Sequence, residues 1–213
     1  MHIGPTGDPA PPPHPPAVRR PGRDERLAEV VEAAVALFGE HGYDQVSMDE
    51  VAGIVGVSKP VVYDLVGSKD QLFRLAMTRQ AAELATRVTQ AAAAAAPDDR
   101  LRAAVEAFFA FVADHRAVWR RLMAQGAGPA TAEIVAARRR QAEIVAELFG
   151  ADIVEVAGIP DPAHAVATMA NGALEALANW WLDHEGVTMT AVVDLSIALL
   201  TPGIAALAPP GGH

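Results

Sequence analysis

Hydrophobic residues recur along this chain at intervals of three and four, the spacing that places side chains on one face of an α-helix. The first such stripe precedes Gly42 and contains Leu27, Val30, Val31, Ala34, Leu37 and Phe38. No segment alternates between apolar and polar residues over the length of a strand. The pattern therefore predicts an all-α protein without a sheet.

Helix starts are marked by capping residues and prolines. Ser47, with Glu50 three residues later, has the form of a capping box and predicts the start of a short second helix. Ser58 and Ser68 occupy the corresponding N-cap positions of a third and a fourth helix. Further breakers predict five more helices, beginning near residues 97, 116, 130, 162 and 189, the last one disrupted by Pro202-Gly203. The total is about nine helices.

Composition agrees with a helical fold and limits the function. Of the 213 residues, 51% are hydrophobic but only 5% are aromatic, and alanine, the best helix former, fills much of the difference. The absence of cysteine excludes disulfides and thiolate metal ligands. We expect no membrane span, because no apolar run approaches about 18 residues. No secretory signal is recognisable, so a cytoplasmic location is expected.

The net charge of −9 argues against a nucleic-acid partner, but the distribution of lysines points the other way. The chain has only two lysines, Lys59 and Lys69, and they flank the predicted third helix. Two short helices joined by a glycine-containing turn form a helix–turn–helix, whose second helix enters the major groove of DNA. Lysines and free helix N-termini beside that helix could hold phosphates. Caps and a tight turn alone are also typical of any small helical unit.

The wider stretch from Arg26 to Phe73 resembles the TetR family of bacterial repressors, with matching spacing and residue types throughout. The segments that carry the resemblance are Gly42-Tyr43, Ser47-Met48-Asp49-Glu50-Val51-Ala52, Gly56-Val57-Ser58-Lys59-Pro60-Val61-Val62-Tyr63 and Ser68-Lys69-Asp70-Gln71-Leu72-Phe73. The resemblance implies an N-terminal three-helix DNA-binding domain and a C-terminal helical domain for ligand binding and dimerisation.

The resemblance also implies roles for individual residues. Lys59, Pro60 and Val61 would face base edges, and Tyr63 would donate its hydroxyl to a phosphate. Ser47, Ser58 and Lys69, at the starts of the second, third and fourth helices, would complete the DNA-binding residues and hold further phosphates. The chain departs from the family pattern at Leu65, where His or Tyr is common, and at Val66, where Phe is common. Leu65 cannot donate a hydrogen bond, and both changes could lower the affinity for DNA.

The predicted organisation has four parts. Residues 1–22 form a proline-rich tail that ends in a basic arm containing Arg19 and Arg20, with Arg23 next to it. Residues 23–68 form the DNA-binding domain, residues 69–207 form the ligand-binding and dimerisation domain, and residues 208–213 form a second tail.

The ligand pocket is expected among large side chains on inward stripes of the C-terminal helices, although each also fits an ordinary core: Phe108, Phe111, Trp119, Met123, Met169 and Trp180. Buried polar residues are better markers, because an unpaired buried polar group is costly. Gln141 falls in the apolar arc of helix seven, and Asn171 lies on a polar face of helix eight with His164, Thr168, Glu175 and Asn179. That face fits a solvated surface, a polar pocket wall or a polar dimer seam.

Helix nine is nearly uncharged and must be buried on more than one side. Pairing of helices eight and nine with their copies in a homodimer would bury this surface, as the resemblance implies, and would suit a palindromic operator. The residues expected at this interface are Leu177, Trp181, Ala191, Leu195, Ala198 and Leu199.

Two functions remain open at this point. The first is a ligand-responsive regulator, a repressor released from a pseudo-palindromic double-stranded DNA operator by a small apolar effector. The second is a helical ligand-binding or interaction protein with weakened DNA binding. Catalysis is not expected, because the sequence shows no nucleophile elbow, phosphate-binding glycine loop or metal-ligand spacing, and no cofactor or metal is expected either.

Overall fold

The computed structural model describes residues 22–120, 131–149, 156 and 158–207. Within these ranges the chain forms nine α-helices and one short 3-10 turn, Pro97–Asp99, and no strand. The helices are α1 Arg23–His41, α2 Met48–Val55, α3 Lys59–Val66, α4 Lys69–Ala94, α5 Arg100–Asp114, α6 Arg116–Val118, α7 Thr131–Phe149, α8 Pro162–Leu182 and α9 Met189–Ala206. The predicted all-α class is confirmed. The two tails, apart from Gly22, and Met123 lie outside the described residues.

Helices α1–α3 pack against the first half of α4 around one hydrophobic core. Phe38, Val62 and Leu72 are fully buried in it. Phe38 meets the ring of Phe73 edge-on, with the centroids 5.0 Å apart, so α1 and α4 are held together at their crossing. Burial of each large side chain stabilises the fold by roughly 1.5–3 kcal/mol.

A second core joins the end of α4 to α5, α8 and α9. Phe109 is fully buried there, and its ring meets Trp181 edge-on at 5.7 Å. The Trp181 indole nitrogen donates to the carbonyl of Val187 at 2.8 Å. Trp181 is 7% exposed on the single chain, because its ring packs against its own core, and its place in a dimer interface stays a prediction. The long helix α4 contributes to both cores, and the predicted domain boundary at 68/69 stays a prediction.

Three local predictions need correction. Ser58 precedes α3, but its hydroxyl accepts no capping hydrogen bond. Helix α9 continues through Pro202 to Ala206. The proline removes one helical hydrogen bond, and because the position is exposed, water can take the freed carbonyl. Helix α9 is also long and apolar enough to cross a membrane by length and composition, although the sequence analysis expected no such run. Only 17% of that segment is buried within the single chain.

Candidate DNA-binding surface and ligand pockets

The start of α2 is fixed by the predicted capping box. The Ser47 hydroxyl accepts from the backbone N–H of Glu50 at 3.2 Å, and the Glu50 carboxylate accepts from the backbone N–H of Ser47 at 2.7 Å. Hydrogen bonds from the Ser47 backbone and side chain lower the pKa of Glu50. The cap fixes where α2 begins and leaves Ser47 exposed at its end.

Helix α3 presents Lys59, Pro60 and Tyr63 to solvent, with Val61 half-buried behind them. The Lys59 ammonium donates to the Asp49 carboxylate of α2 at 2.8 Å. This hydrogen bond, with the attraction of the two charges, raises the pKa of Lys59. The lysine that the sequence places against DNA bases is therefore ion-paired within the chain.

Lys69 lies at the start of α4 and is also engaged. Its ammonium donates to the backbone carbonyl of Asp44 at 3.3 Å and lies over the Tyr43 ring, 4.5 Å from the centroid. The Tyr43 hydroxyl donates to the Asp70 carboxylate in a short hydrogen bond. Desolvation, then this bond, raises the pKa of Tyr43 to about 12. In the sequence Tyr43 is recognisable only as part of a motif. Its contact with Lys69 is visible only in the structure.

The start of α1 is tied to the same surface. The Arg23 guanidinium donates to the backbone carbonyl of Asp64, near the end of α3, at 2.9 Å. Arg23 thereby places its positive charge at the negative end of the α3 dipole. Arg19 and Arg20, the rest of the predicted basic arm, lie outside the described residues.

The first candidate ligand pocket lies between α5, α7, α8 and α9. It contains about 620 Å³ of space, including its opening to solvent. Gln141 and Asn171 are the polar residues in a lining that is otherwise apolar, with Phe108, Val145 and Phe149 among its members. Three predicted ligand-binding residues, Phe108, Gln141 and Asn171, thus meet in one pocket.

The second pocket is lined by residues of α4, α5, α6, α7 and α8 and contains about 560 Å³, including its opening. Phe111 and Trp119 line it as predicted, and Gln141 borders both pockets. The Trp119 indole nitrogen donates to the side-chain carbonyl of Asn179 at 2.8 Å, which fixes the ring against α8. Polar residues that the sequence did not single out as ligand-binding complete the lining: Gln80, His115, Glu133, Arg138 and Glu175.

Met169 and Trp180 line neither pocket, and their assignment to inward stripes is wrong. Met169 is 67% exposed and Trp180 is 46% exposed on the outer face of α8. The small residues Ala167, Ala170 and Ala178 occupy the buried side instead, because close helix packing favours them there. Of the polar face predicted on α8, Asn171 and Glu175 do form pocket wall.

Helices α8 and α9 together leave an apolar outer face on the single chain. We define this outer face by its large exposed side chains, Met169, Trp180, Leu195 and Leu199. Ala191 and Ala198 are exposed beside them, and Leu177 is half-buried. In the part of the chain that the structure describes, no group of three acidic or histidine side chains could hold a metal ion.

Comparison with known proteins places both halves of the chain in one family. Residues 30–76 match the family model "Bacterial regulatory proteins, tetR family", and residues 97–202 match "Tetracyclin repressor-like, C-terminal domain". The chain is 43% identical over 91 residues to the HTH-type transcriptional activator FasR of Mycolicibacterium smegmatis, covering 42% of each chain. It is 42% identical over 57 residues to the repressor BdcR of Escherichia coli, covering 26% of this chain and 29% of BdcR.

Less than half the length of these two relatives is therefore matched. A solved TetR-like transcriptional regulator from Rhodococcus sp. RHA1 superposes with a TM-score of 0.65 at 29% identity, over 87% of this chain and 99% of that one. The similarity in fold thus extends through both halves of the molecule.

Proposed function

Because the chain belongs to the TetR family of bacterial transcriptional regulators, we propose that it is a homodimeric DNA-binding regulator whose affinity for its operator changes when a small effector binds. Members of the family are DNA-binding transcription factors and not enzymes. The observation that carries the proposal is the exposed face of α3, with Lys59, Pro60 and Tyr63, beside the capped starts of α2 and α4.

In the proposed complex, α3 enters the major groove. Lys59, Pro60 and Val61 approach base edges, while Tyr63 contacts a phosphate. Ser47 and Lys69 lie at helix starts, where unpaired amides and the positive end of the helix dipole favour further phosphates. The two α3 helices of a dimer would read half-sites of a pseudo-palindrome about one helical turn apart.

The proposed dimer forms through α8 and α9. The outer face exposes Met169, Trp180, Leu195 and Leu199, and an exposed apolar patch of this kind is typical of an interaction site. Ala191, Ala198 and Leu177 extend the same surface. Trp181 supports the interface from below, as part of the core.

The proposed effector binds in the pockets bordered by Phe108, Phe111, Trp119, Gln141 and Asn171. It acts by binding more tightly to the conformation that does not fit DNA, which is the physical requirement for release. We propose a repressor, although one relative is named an activator and the other a repressor. The sign of regulation depends on where the operator lies relative to the promoter.

A mobility-shift experiment tests DNA binding. Purified wild-type protein is titrated onto intergenic DNA flanking its own gene, with unrelated DNA of equal length as competitor. Lys59→Ala should weaken specific binding about five- to 150-fold, because a bidentate base contact contributes roughly 1–3 kcal/mol. Tyr63→Phe, which removes only the hydroxyl, should weaken binding less. Absence of specific binding to any genomic fragment at low salt would contradict the proposal.

The second candidate function is a ligand-binding protein with weakened DNA binding. The engagement of Lys59 by Asp49 and of Lys69 by Asp44 favours it, as does Leu65, which has no hydrogen-bond donor. If Lys59→Ala and Tyr63→Phe both leave reporter output in cells unchanged while ligand binding persists, this second function gains and the regulator proposal fails.

A further inference from the structure

Polar side-chain atoms are buried without a hydrogen-bond partner in both ligand pockets. In the second pocket these are Gln80 Oε1 and Glu133 Oε2, and in the first pocket Asn171 Nδ2. Buried polar groups in folded proteins are nearly always paired, so orphaned atoms on residues that line a cavity indicate groups that a ligand completes. Glu133 is the most informative of them, because a carboxylate oxygen can only accept.

The other charges of the second pocket are already matched. The Arg138 guanidinium holds Glu175 with two contacts, Nε to Oε1 at 3.2 Å and Nη2 to Oε2 at 2.7 Å. Arg74, outside the pocket lining, reaches the other Glu133 oxygen at 3.6 Å. Neither guanidinium therefore remains unpaired to receive an anion.

The two pockets adjoin at Gln141, whose side chain lines both. On one side of Gln141 lies the apolar compartment with Phe108 and Val145, and on the other lies the compartment with Glu133 and Gln80. A single ligand with an apolar body and a polar head would fill both compartments, with its body in the first and its head in the second.

We propose that the effector is an amphiphile whose head group donates hydrogen bonds to Glu133 and Gln80, an amine or a hydroxyl, and not a carboxylate. The inference rests on the proposed function only in calling the ligand an effector, that is, a regulator of DNA binding. The preference for a head group can be measured by ligand binding without DNA. An anionic head would lie against the Glu133 carboxylate in a partly desolvated pocket, where like charges repel. The Arg74 guanidinium, 3.6 Å from the other carboxylate oxygen, offsets part of that repulsion. A donor head instead forms a charge-assisted hydrogen bond.

The test compares three probes that share one alkyl chain: decylamine, decanol and decanoate. Their dissociation constants for the full-length protein are measured by calorimetry below the micelle concentrations. We expect decylamine and decanol each to bind at least about tenfold more tightly than decanoate, since hydrogen bonds to charged groups are among the strong ones. This ranking uses only the wild-type protein.

Glu133→Gln, with Glu147→Gln as its matched control, tests whether the Glu133 carboxylate binds the head group. Both substitutions remove one negative charge from α7, but Glu147 is exposed and lines neither pocket. Non-specific attraction of an amine to this acidic chain therefore falls equally in both. Glu133→Gln should weaken decylamine binding about tenfold and reduce the difference in affinity between decylamine and decanoate. Glu147→Gln should leave the affinities for both probes unchanged.

The inference is overturned if decanoate binds as tightly as the other two probes, if none of the three binds, or if Glu133→Gln and Glu147→Gln behave alike. Each probe is then added to the protein–DNA complex. Release of DNA by decanoate alone would overturn the head-group assignment and leave the proposed function standing. Tight binding of decanol or decylamine without any effect on DNA would support the head-group assignment and contradict the ligand response.

Discussion

At the scale of single residues, both lysines of the proposed DNA-binding surface have a partner within the chain. Lys59 is paired with Asp49 and Lys69 with the Asp44 carbonyl, and these groups are at the surface. Exposed ion pairs such as that between Lys59 and Asp49 contribute only about 0–1 kcal/mol, so a DNA phosphate can compete for the Lys59 ammonium. The acidic partner nevertheless remains nearby and opposes the phosphate.

Asp49→Asn should therefore raise the affinity for operator DNA about three- to tenfold, because it removes a negative charge beside Lys59 and frees the ammonium. The measurement is fluorescence anisotropy over a range of salt concentrations. Asp98→Asn is the matched control, since it removes the same charge from the exposed 3-10 turn, which lies outside the proposed surface. Equal effects of the two variants would mean that only net charge matters.

Tyr43 gives a prediction about pH. Its pKa is raised to about 12 from 10.0, first by desolvation and then by the hydrogen bond to Asp70, so the folded chain holds this proton more tightly than the unfolded chain does. The contribution to stability is complete below pH about 10 and is lost as the pH rises towards about 12. Wild-type stability in urea should fall more steeply over that window than the stability of Tyr43→Phe. Parallel curves would refute the assignment.

At the scale of helices, the sequence predicted the features that depend on local pattern, namely where helices begin and which of their faces are apolar. Stripes and caps identified α1 to α9 and the buried Phe38, because periodicity records which face of a helix is apolar. It could not say which apolar face a neighbouring helix covers. Trp180 therefore lies outside although it is apolar, and Trp181, one residue on, lies inside.

The polar contacts of the site were also beyond local pattern. The pair between Lys59 and Asp49 joins two helices, and the unpaired Glu133 oxygen is recognisable only once α4, α6 and α7 surround it. Both features depend on tertiary packing, which the sequence does not record. Gln141, by contrast, was found because a single polar residue inside an apolar arc is visible in the sequence itself.

The contact between α1 and α6 links the two halves of the molecule and leads to a third prediction. A Cβ added at Gly39 would lie 2.5 Å from Val118 Cγ2 and 3.2 Å from its backbone. Gly39→Ala should therefore destabilise the protein by about 1–3 kcal/mol, since overpacking outweighs the gain in helix propensity. Because Val118 also lines the second pocket, the affinity for its ligand should change too.

Chemical unfolding measures the effect, and Gly53→Ala is its control. A Cβ at Gly53, on the exposed side of α2, meets nothing within 4 Å. That variant should be neutral or stabilised by about 0.5–1 kcal/mol, because alanine favours helix more than glycine. Destabilisation of both variants by the same amount would show that the α1–α6 contact is not the cause.

At the scale of the whole molecule, the outer face of α8 and α9 has to be reconciled with an acidic chain. The net charge is −9, yet in α9 only Asp194 is charged, and it accepts from Arg102 at 2.8 Å. The outer face is therefore apolar and locally neutral, which allows two copies to approach. A membrane is the other environment that suits an exposed apolar helix, and the oligomeric state distinguishes the two.

Leu199→Asp should convert a dimer into a monomer, because Leu199 is 68% exposed on the single chain and a carboxylate buried there would have no partner. Val135→Asp makes the same change on α7, where Val135 is 59% exposed and outside the outer face, and should remain dimeric. Light scattering after gel filtration gives the mass directly. The monomer should also lose operator affinity, since each α3 reads only one half-site. A wild-type mass near 22.3 kDa would contradict the dimer, whereas detergent-dependent solubility of the wild type would point to a membrane.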